Sequence, residues 1–169
     1  MTARAAGVLF LLLAGCATVP FPADEIPGIA RVDEAYRGAA EAHRLSEPFL
    51  GEVGDSETDV ILRTDPASRV GYHFSIALAS GFKAPAGAKV RVQYVAKEGE
   101  AATERTLDLP RNPGWWFGEI VFGLTGADAP APRWRPVAWR VSILGPDGRE
   151  LAVRRSFLWG APTDGGLGK

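Results

Sequence analysis

Val70-Gly71-Tyr72-His73-Phe74-Ser75-Ile76-Ala77-Leu78-Ala79 is the stretch whose reading decides the fold. Large apolar side chains occupy every second position, from Val70 to Leu78. Small or polar ones stand between them. A period of two sends alternate side chains to opposite faces of an extended chain. The stretch therefore predicts a half-buried strand. Its core face carries Val70, Tyr72, Phe74, Ile76 and Leu78, and its wet face carries Gly71, His73, Ser75, Ala77 and Ala79. The same period continues downstream, where Val90, Val92 and Tyr94 alternate with Lys89, Arg91 and Gln93. Residues 81–87, with Pro85 and two glycines, make the turn between these strands.

Other strands follow on either side. Residues 60–64 read as a first strand, and residues 103–109 as a weaker one ended by Pro110. Trp116, Ile120, Phe122 and Leu124 share one face of a further strand; Val137, Trp139, Val141 and Ile143 share one face of the next. Gly145-Pro146-Asp147-Gly148 then separates two apolar runs. Proline presets the first turn position and glycine accepts positive φ, so a hairpin with a glycine bulge is expected. The last strand runs to about residue 159, within an expected β domain at 59–159. Residues 160–169 are glycine-rich and polar, and read as a disordered tail.

Composition agrees with this body. The chain has 169 residues, 46% hydrophobic and 23% charged, which excludes a wholly disordered, collagen-like or multi-span membrane chain. Its 20 glycines and 13 prolines favour many turns and short strands. About seven strands at this spacing predict a mainly β fold, an antiparallel β-sandwich of immunoglobulin-like or transthyretin-like architecture. No pair of cysteines brackets a tryptophan, so the antibody-type signature is absent.

Ahead of the body, residues 29–45 read as one short amphipathic helix. Ile29, Val32, Tyr36, Ala39 or Ala40, and His43 recur at spacings of three and four. Asp33 with Arg37 and Glu41 with Arg44 sit at helical ion-pair spacings, and Pro48 would stop the helix. His43 reads as a packed or solvated side chain, since no second histidine is near.

The first fifteen residues differ from all of this. Arg4 is followed by an apolar run over residues 5–14. Ten residues of helix rise only ~15 Å, half of a bilayer's hydrocarbon core, which is the length of a signal-peptide h-region. The run ends in Leu13-Ala14-Gly15-Cys16. These four residues resemble the lipobox of bacterial lipoproteins. The resemblance implies cleavage before Cys16, with Leu13, Ala14 and Gly15 as the signal-peptidase recognition residues. It also implies a diacylglyceryl group on the Cys16 sulfur and three acyl chains in all. At ~0.8 kcal/mol per buried CH₂, one chain anchors marginally and three anchor persistently. Lipoproteins kept in the inner membrane often carry Asp after the cysteine; Ala17 points to the outer membrane. The other reading is an ordinary signal peptide with a chance cysteine, or a buried thiol.

Residues 16–28 contain Pro20, Pro22 and Pro27. So much proline favours an extended tether, its residues 17–28 able to reach ~37 Å at 3.1 Å per residue; alternatively Val19 and Phe21 pack on the domain.

Candidate binding residues stand at Trp115 and Phe117. Alternation points Trp116 inward and sends Trp115 and Phe117 to the outer face beside Glu119. An exposed aromatic pair can stack on a sugar ring or anchor a protein partner; the alternative is that the helix or a loop covers it. Between residues 47 and 59, Glu47, Glu52, Asp55, Glu57 and Asp59 make an acidic run. It lacks the glycine and distal glutamate of a calcium loop and reads as solvated. Residues 133–159 hold six arginines interleaved with Trp134, Trp139 and Trp159. They can meet lipid phosphates or an acidic partner, or simply hydrate an outer sheet face. Arg155 interrupts an apolar series, which suggests a bulge or a partner acid such as Glu119.

Catalytic signals are poor. His43 and His73 are far apart, Ser75 near His73 lacks a nucleophile elbow, and no His-Glu-x-x-His, Cys-x-x-Cys or phosphate-cradling loop occurs. A single cysteine excludes an intrachain disulfide, two histidines disfavour a histidine metal site, and a net charge of −1 gives no support for nucleic acid. No cofactor is expected. The expectation is a lipid-anchored, non-enzymatic binding or assembly module of the cell envelope. It would be held in the bilayer through acylated Cys16, face the periplasm from the outer membrane, and engage an unidentified envelope protein. A carbohydrate- or peptidoglycan-binding lipoprotein is the alternative, and an envelope hydrolase a more distant one.

Overall fold

A computed structural model describes residues 25–39, 60–110 and 119–160. Eight strands build two four-stranded sheets: β1 (Ile29–Arg37), β2 (Val60–Arg63), β3 (Gly71–Leu78), β4 (Lys89–Val95), β5 (Thr103–Asp108), β6 (Ile120–Thr125), β7 (Ala138–Leu144) and β8 (Glu150–Arg155). The first sheet has the order β1-β3-β6-β2, the second β5-β4-β7-β8. The alternation read from sequence fixes their inner faces. Tyr72, Phe74 and Ile76 on β3 stand opposite Leu124, Phe122 and Ile120 on β6. Val90 and Val92 on β4 stand opposite Ile143 and Val141 on β7. Phe74, Ile76, Phe122, Leu124, Val90, Val92, Val141 and Ile143 are all fully buried. Apolar area removed from water is the main stabilising term of such a two-sheet core.

The seven strands expected from sequence correspond to β2 through β8. The eighth, β1, corrects the helix expected at 29–45. Ile29 pairs with Leu78, but Arg31 pairs with Ala77, so a bulge at Ala30 shifts the register. The bulge brings Ile29 onto the same face as Val32, three residues on. Tyr36 then follows four residues later, opposite Tyr72. A bulged strand has thus produced the three-and-four spacing that usually marks a helix. Residues 40–45, with His43, lie outside the described residues. The expectation of a wholly antiparallel sandwich is also corrected: β2 runs parallel to β6.

The 145–148 turn forms as expected. Gly148 N–H donates to the Gly145 carbonyl at 2.9 Å, Gly148 has φ of 80°, and the register slips between Ile143 and Leu144. Before β1 the chain crosses to the other sheet, where Ile26 pairs with Val153 on the outer side of β8. The part of the proline-rich stretch from Glu25 on is therefore bonded to the domain. The last strand ends at Arg155, short of residue 159, and residues 157–160 turn away from it.

The sandwich has two ends. At one, β3 ends beside the start of β6, and β4 and β8 begin. At the other lie the ends of β1, β4, β6 and β8 and the starts of β3, β5 and β7, as the registers require.

Candidate functional site

The lipobox residues Leu13, Ala14, Gly15 and Cys16, the aromatic pair Trp115 and Phe117, and the acidic run at 47–59 lie outside the described residues. The polar side chains that the described residues bring together form three groups, each tied to a particular piece of the fold.

The first closes one end of the sandwich. The turn Gly126–Asp128 follows β6 and presents Asp128 to the facing sheet. Arg105, on the edge strand β5, donates Nε to Oδ2 at 2.8 Å and Nη2 to Oδ1 at 2.6 Å. Tyr94 on β4 adds its hydroxyl at 3.3 Å. Burial works against the Asp128 carboxylate, but the hydrogen bonds of Arg105, Thr64 and Tyr94 outweigh it and hold its pKa below the usual range. Burial first, and then the Asp128 charge, push the Tyr94 hydroxyl up to about 12. Trp134 sits edge-on to both Tyr72 and Tyr94, at 6.1 and 5.7 Å between ring centroids. Burial and the neighbouring Glu34 carboxylate, which accepts the Tyr72 hydroxyl, raise the Tyr72 pKa as well. Both tyrosines stay neutral at ordinary pH; Tyr94 donates across the seam between the sheets, and Tyr72 donates to Glu34 on the neighbouring strand of its own sheet.

The second group lies on the outer face of the second sheet. Glu150 accepts two bonds from Arg140, at 2.5 and 2.7 Å, one from Ser142 at 3.0 Å, and one from Arg91. Arg140 above all, then Ser142 and the charge of Arg91, bring the Glu150 pKa down to about 2 against the cost of burial. Gln93 extends the row by accepting from Arg140 at 3.2 Å and donating to Glu104 at 3.1 Å. The arginine-rich stretch 133–159 is thus divided. Arg140 is committed to Glu150, Arg133 and Arg135 are exposed in the loop before β7, Arg149 is exposed in the hairpin, and Arg155 donates to the Trp159 carbonyl at 2.5 Å. Glu119, suggested as the acid for Arg155, accepts from Arg31 at 2.7 Å.

The third is His73. Its outward position on β3 predicts exposure, yet it is buried. The partner across the strand is Gly123, and the ring lies over it so closely that an added Cβ there would come within 2.9 Å. Nδ1 donates to the Gly71 carbonyl at 3.2 Å. The described residues hold no group of three His, Cys, Asp or Glu side chains suited to a metal, and none of their helices is long and apolar enough to cross a membrane.

Sequence reasoning missed the Arg105–Asp128 pair and the Glu150 cluster. The second had a signal. Arg140 and Ser142 alternate on one strand face, and the hairpin after them returns Glu150 beside Leu144.

No family model, curated protein or solved structure matches the chain.

Proposed function

We propose that this chain is a lipid-anchored envelope lipoprotein whose sandwich serves as a non-enzymatic binding or assembly module. The single observation that carries the reading is Leu13-Ala14-Gly15-Cys16 at the end of an apolar run too short to span a bilayer. The lone cysteine of the chain stands at the one position where acylation requires it. A folded domain with bonded polar seams is the cargo such an anchor suits: among the described residues, the carboxylates of Asp128 and Glu150 are each engaged in holding strands together. Ala17 favours the outer membrane, with the domain in the periplasm.

The protein contact is assigned to Trp115 and Phe117. Their segment joins Pro110 to Glu119, both at the end of the sandwich opposite the Asp128 seam.

Metabolic labelling with palmitate tests the anchor. Wild-type protein carries label and fractionates with membranes, and Cys16→Ala abolishes both. An unlabelled, soluble wild-type protein overturns the reading.

A further inference from the structure

Phe157 is 94% exposed and Leu158 50% exposed, in the turn that follows β8. Val137, 41% exposed, lies at the same end, because Ser156 N–H bonds the Trp139 carbonyl at 2.9 Å and so fixes the turn beside the start of β7. Adjacent apolar side chains held this far into water mark a contact surface.

The charge around them is basic. Arg154 and Arg155 run directly into the turn, and Arg133, Arg135 and Arg69 are exposed at the same end. The acids there are largely engaged: Asp128 by Arg105, Glu25 by Arg154 at 4.0 Å, Glu100 by Lys97 at 3.9 Å, and Asp65 by the Ala67 N–H at 3.0 Å, leaving Glu98 exposed and Arg69, Arg133 and Arg135 as the outward guanidinium groups. Guanidinium groups around an apolar tip match a surface of phosphates overlying hydrocarbon.

The path of the chain selects the same end. Ile26 pairs with Val153, and Glu25 accepts the Arg155 N–H at 3.3 Å. The leading segment therefore joins the domain two residues from Phe157. Cys16 is nine residues before Glu25, a reach of at most ~32 Å at full extension.

We infer that the end of the sandwich bearing Phe157 and Leu158 docks on the anionic headgroup surface of the membrane that holds Cys16. The inference rests on the lipid anchor proposed above. Phe157 and Leu158 enter the interfacial layer, the arginines meet lipid phosphates, and the opposite end, with the 145–148 hairpin, faces away.

The full-length protein is reconstituted into vesicles of phosphatidylcholine with one third phosphatidylglycerol, containing a brominated lipid. A fluorophore is attached to Leu158→Cys in one preparation and to Asp147→Cys in another. Docking gives at least threefold stronger quenching at position 158 than at 147, and Phe157→Ser at least halves the signal at 158. Equal quenching at the two positions overturns it, as does a signal at 158 that persists undiminished in pure phosphatidylcholine. Sedimentation in detergent adds a further check, since a dimer lost in Phe157→Ser would assign the turn to a second copy and overturn the membrane contact. Mass spectrometry of each preparation reports acylation of Cys16 separately. If the acyl mass is missing, the anchor fails by itself, and the comparison of 158 with 147, made with vesicles added to the same chain, still decides the docking.

Discussion

Arg105 and Asp128 meet in two parallel hydrogen bonds, 2.8 and 2.6 Å long, and through them the edge strand of one sheet grips the turn that leaves the other. The fork of the guanidinium matches the carboxylate, a geometry stronger than a single charged contact. Tyr94 shares the same oxygen as the Arg105 Nη2.

Removing either partner loosens this seam. Arg105→Ala lowers stability by ~1–2 kcal/mol, a moderate loss because the Arg105 side chain is partly exposed to screening solvent. Asp128→Asn lowers the Tyr94 pKa towards 10 without reaching it, since burial remains the larger cause. Chemical denaturation checks the first outcome and alkaline absorbance titration of the tyrosines the second. In the wild type the raised Tyr94 pKa makes the folded state retain a proton that the unfolded chain loses. Stability is therefore intact below pH 10 and declines as pH rises from 10 to about 12.

Glu150 gives the acid limb. Its folded pKa, about 2, lies below the ordinary carboxylate value of 4.5. The stabilisation it supplies is complete above pH 4.5 and is lost as pH falls towards 2, with a ceiling of ~3 kcal/mol for a shift of this size. Glu150→Gln leaves Arg140 and Arg91 facing each other without their carboxylate. It costs ~2–3 kcal/mol at pH 7 and flattens the dependence below pH 4.5. Urea titrations at pH 3 and pH 7 read both effects.

Gly123→Ala tests the His73 contact. The new methyl group would stand 2.9 Å from the imidazole, which is buried over Gly123. The expected loss is ~1–3 kcal/mol. His73→Ala in the same chain relieves the clash, so the double variant loses less than the two single losses together, which a double-mutant cycle measures.

Trp115→Ala combined with Phe117→Ala addresses the proposed protein contact. The expected outcome is an unchanged melting temperature and at least a tenfold drop in recovery of the crosslinked envelope partner. Unchanged recovery removes the pair from the contact; quenching of tryptophan fluorescence by peptidoglycan fragments, lost in the same variant, moves it to glycan binding.

The strands β3, β4, β7 and β8 were legible because one face of each is core, and a period of two survives wherever one side must stay dry. The 145–148 turn was legible because proline and glycine each do there what few residues can. β1 was not, since its bulge at Ala30 imitates helical spacing and nothing local tells the two apart. Nor was the direction of β2: apolar residues such as Val60, Ile61 and Leu62 pair as well with a parallel neighbour as with an antiparallel one. His73 was misread because burial of an outward residue depends on its cross-strand partner, here a glycine, and partners are set by register. The Arg105–Asp128 seam joins residues from different sheets, which only the tertiary fold brings together.

The parallel pairing of β2 and β6 has a kinetic consequence. Val60 lies sixty residues ahead of its partner Ile120, and the segment between them includes β3, β4 and β5. So distant a closure comes late, after β3 has already found β6 through nearer contacts. With only four half-buried residues, β2 should also be the first strand to open. In a hydrogen-exchange time course the amides of Val60 and Thr64, bonded to Glu119 and Gly123, would then take up deuterium well before those of β4 and β7.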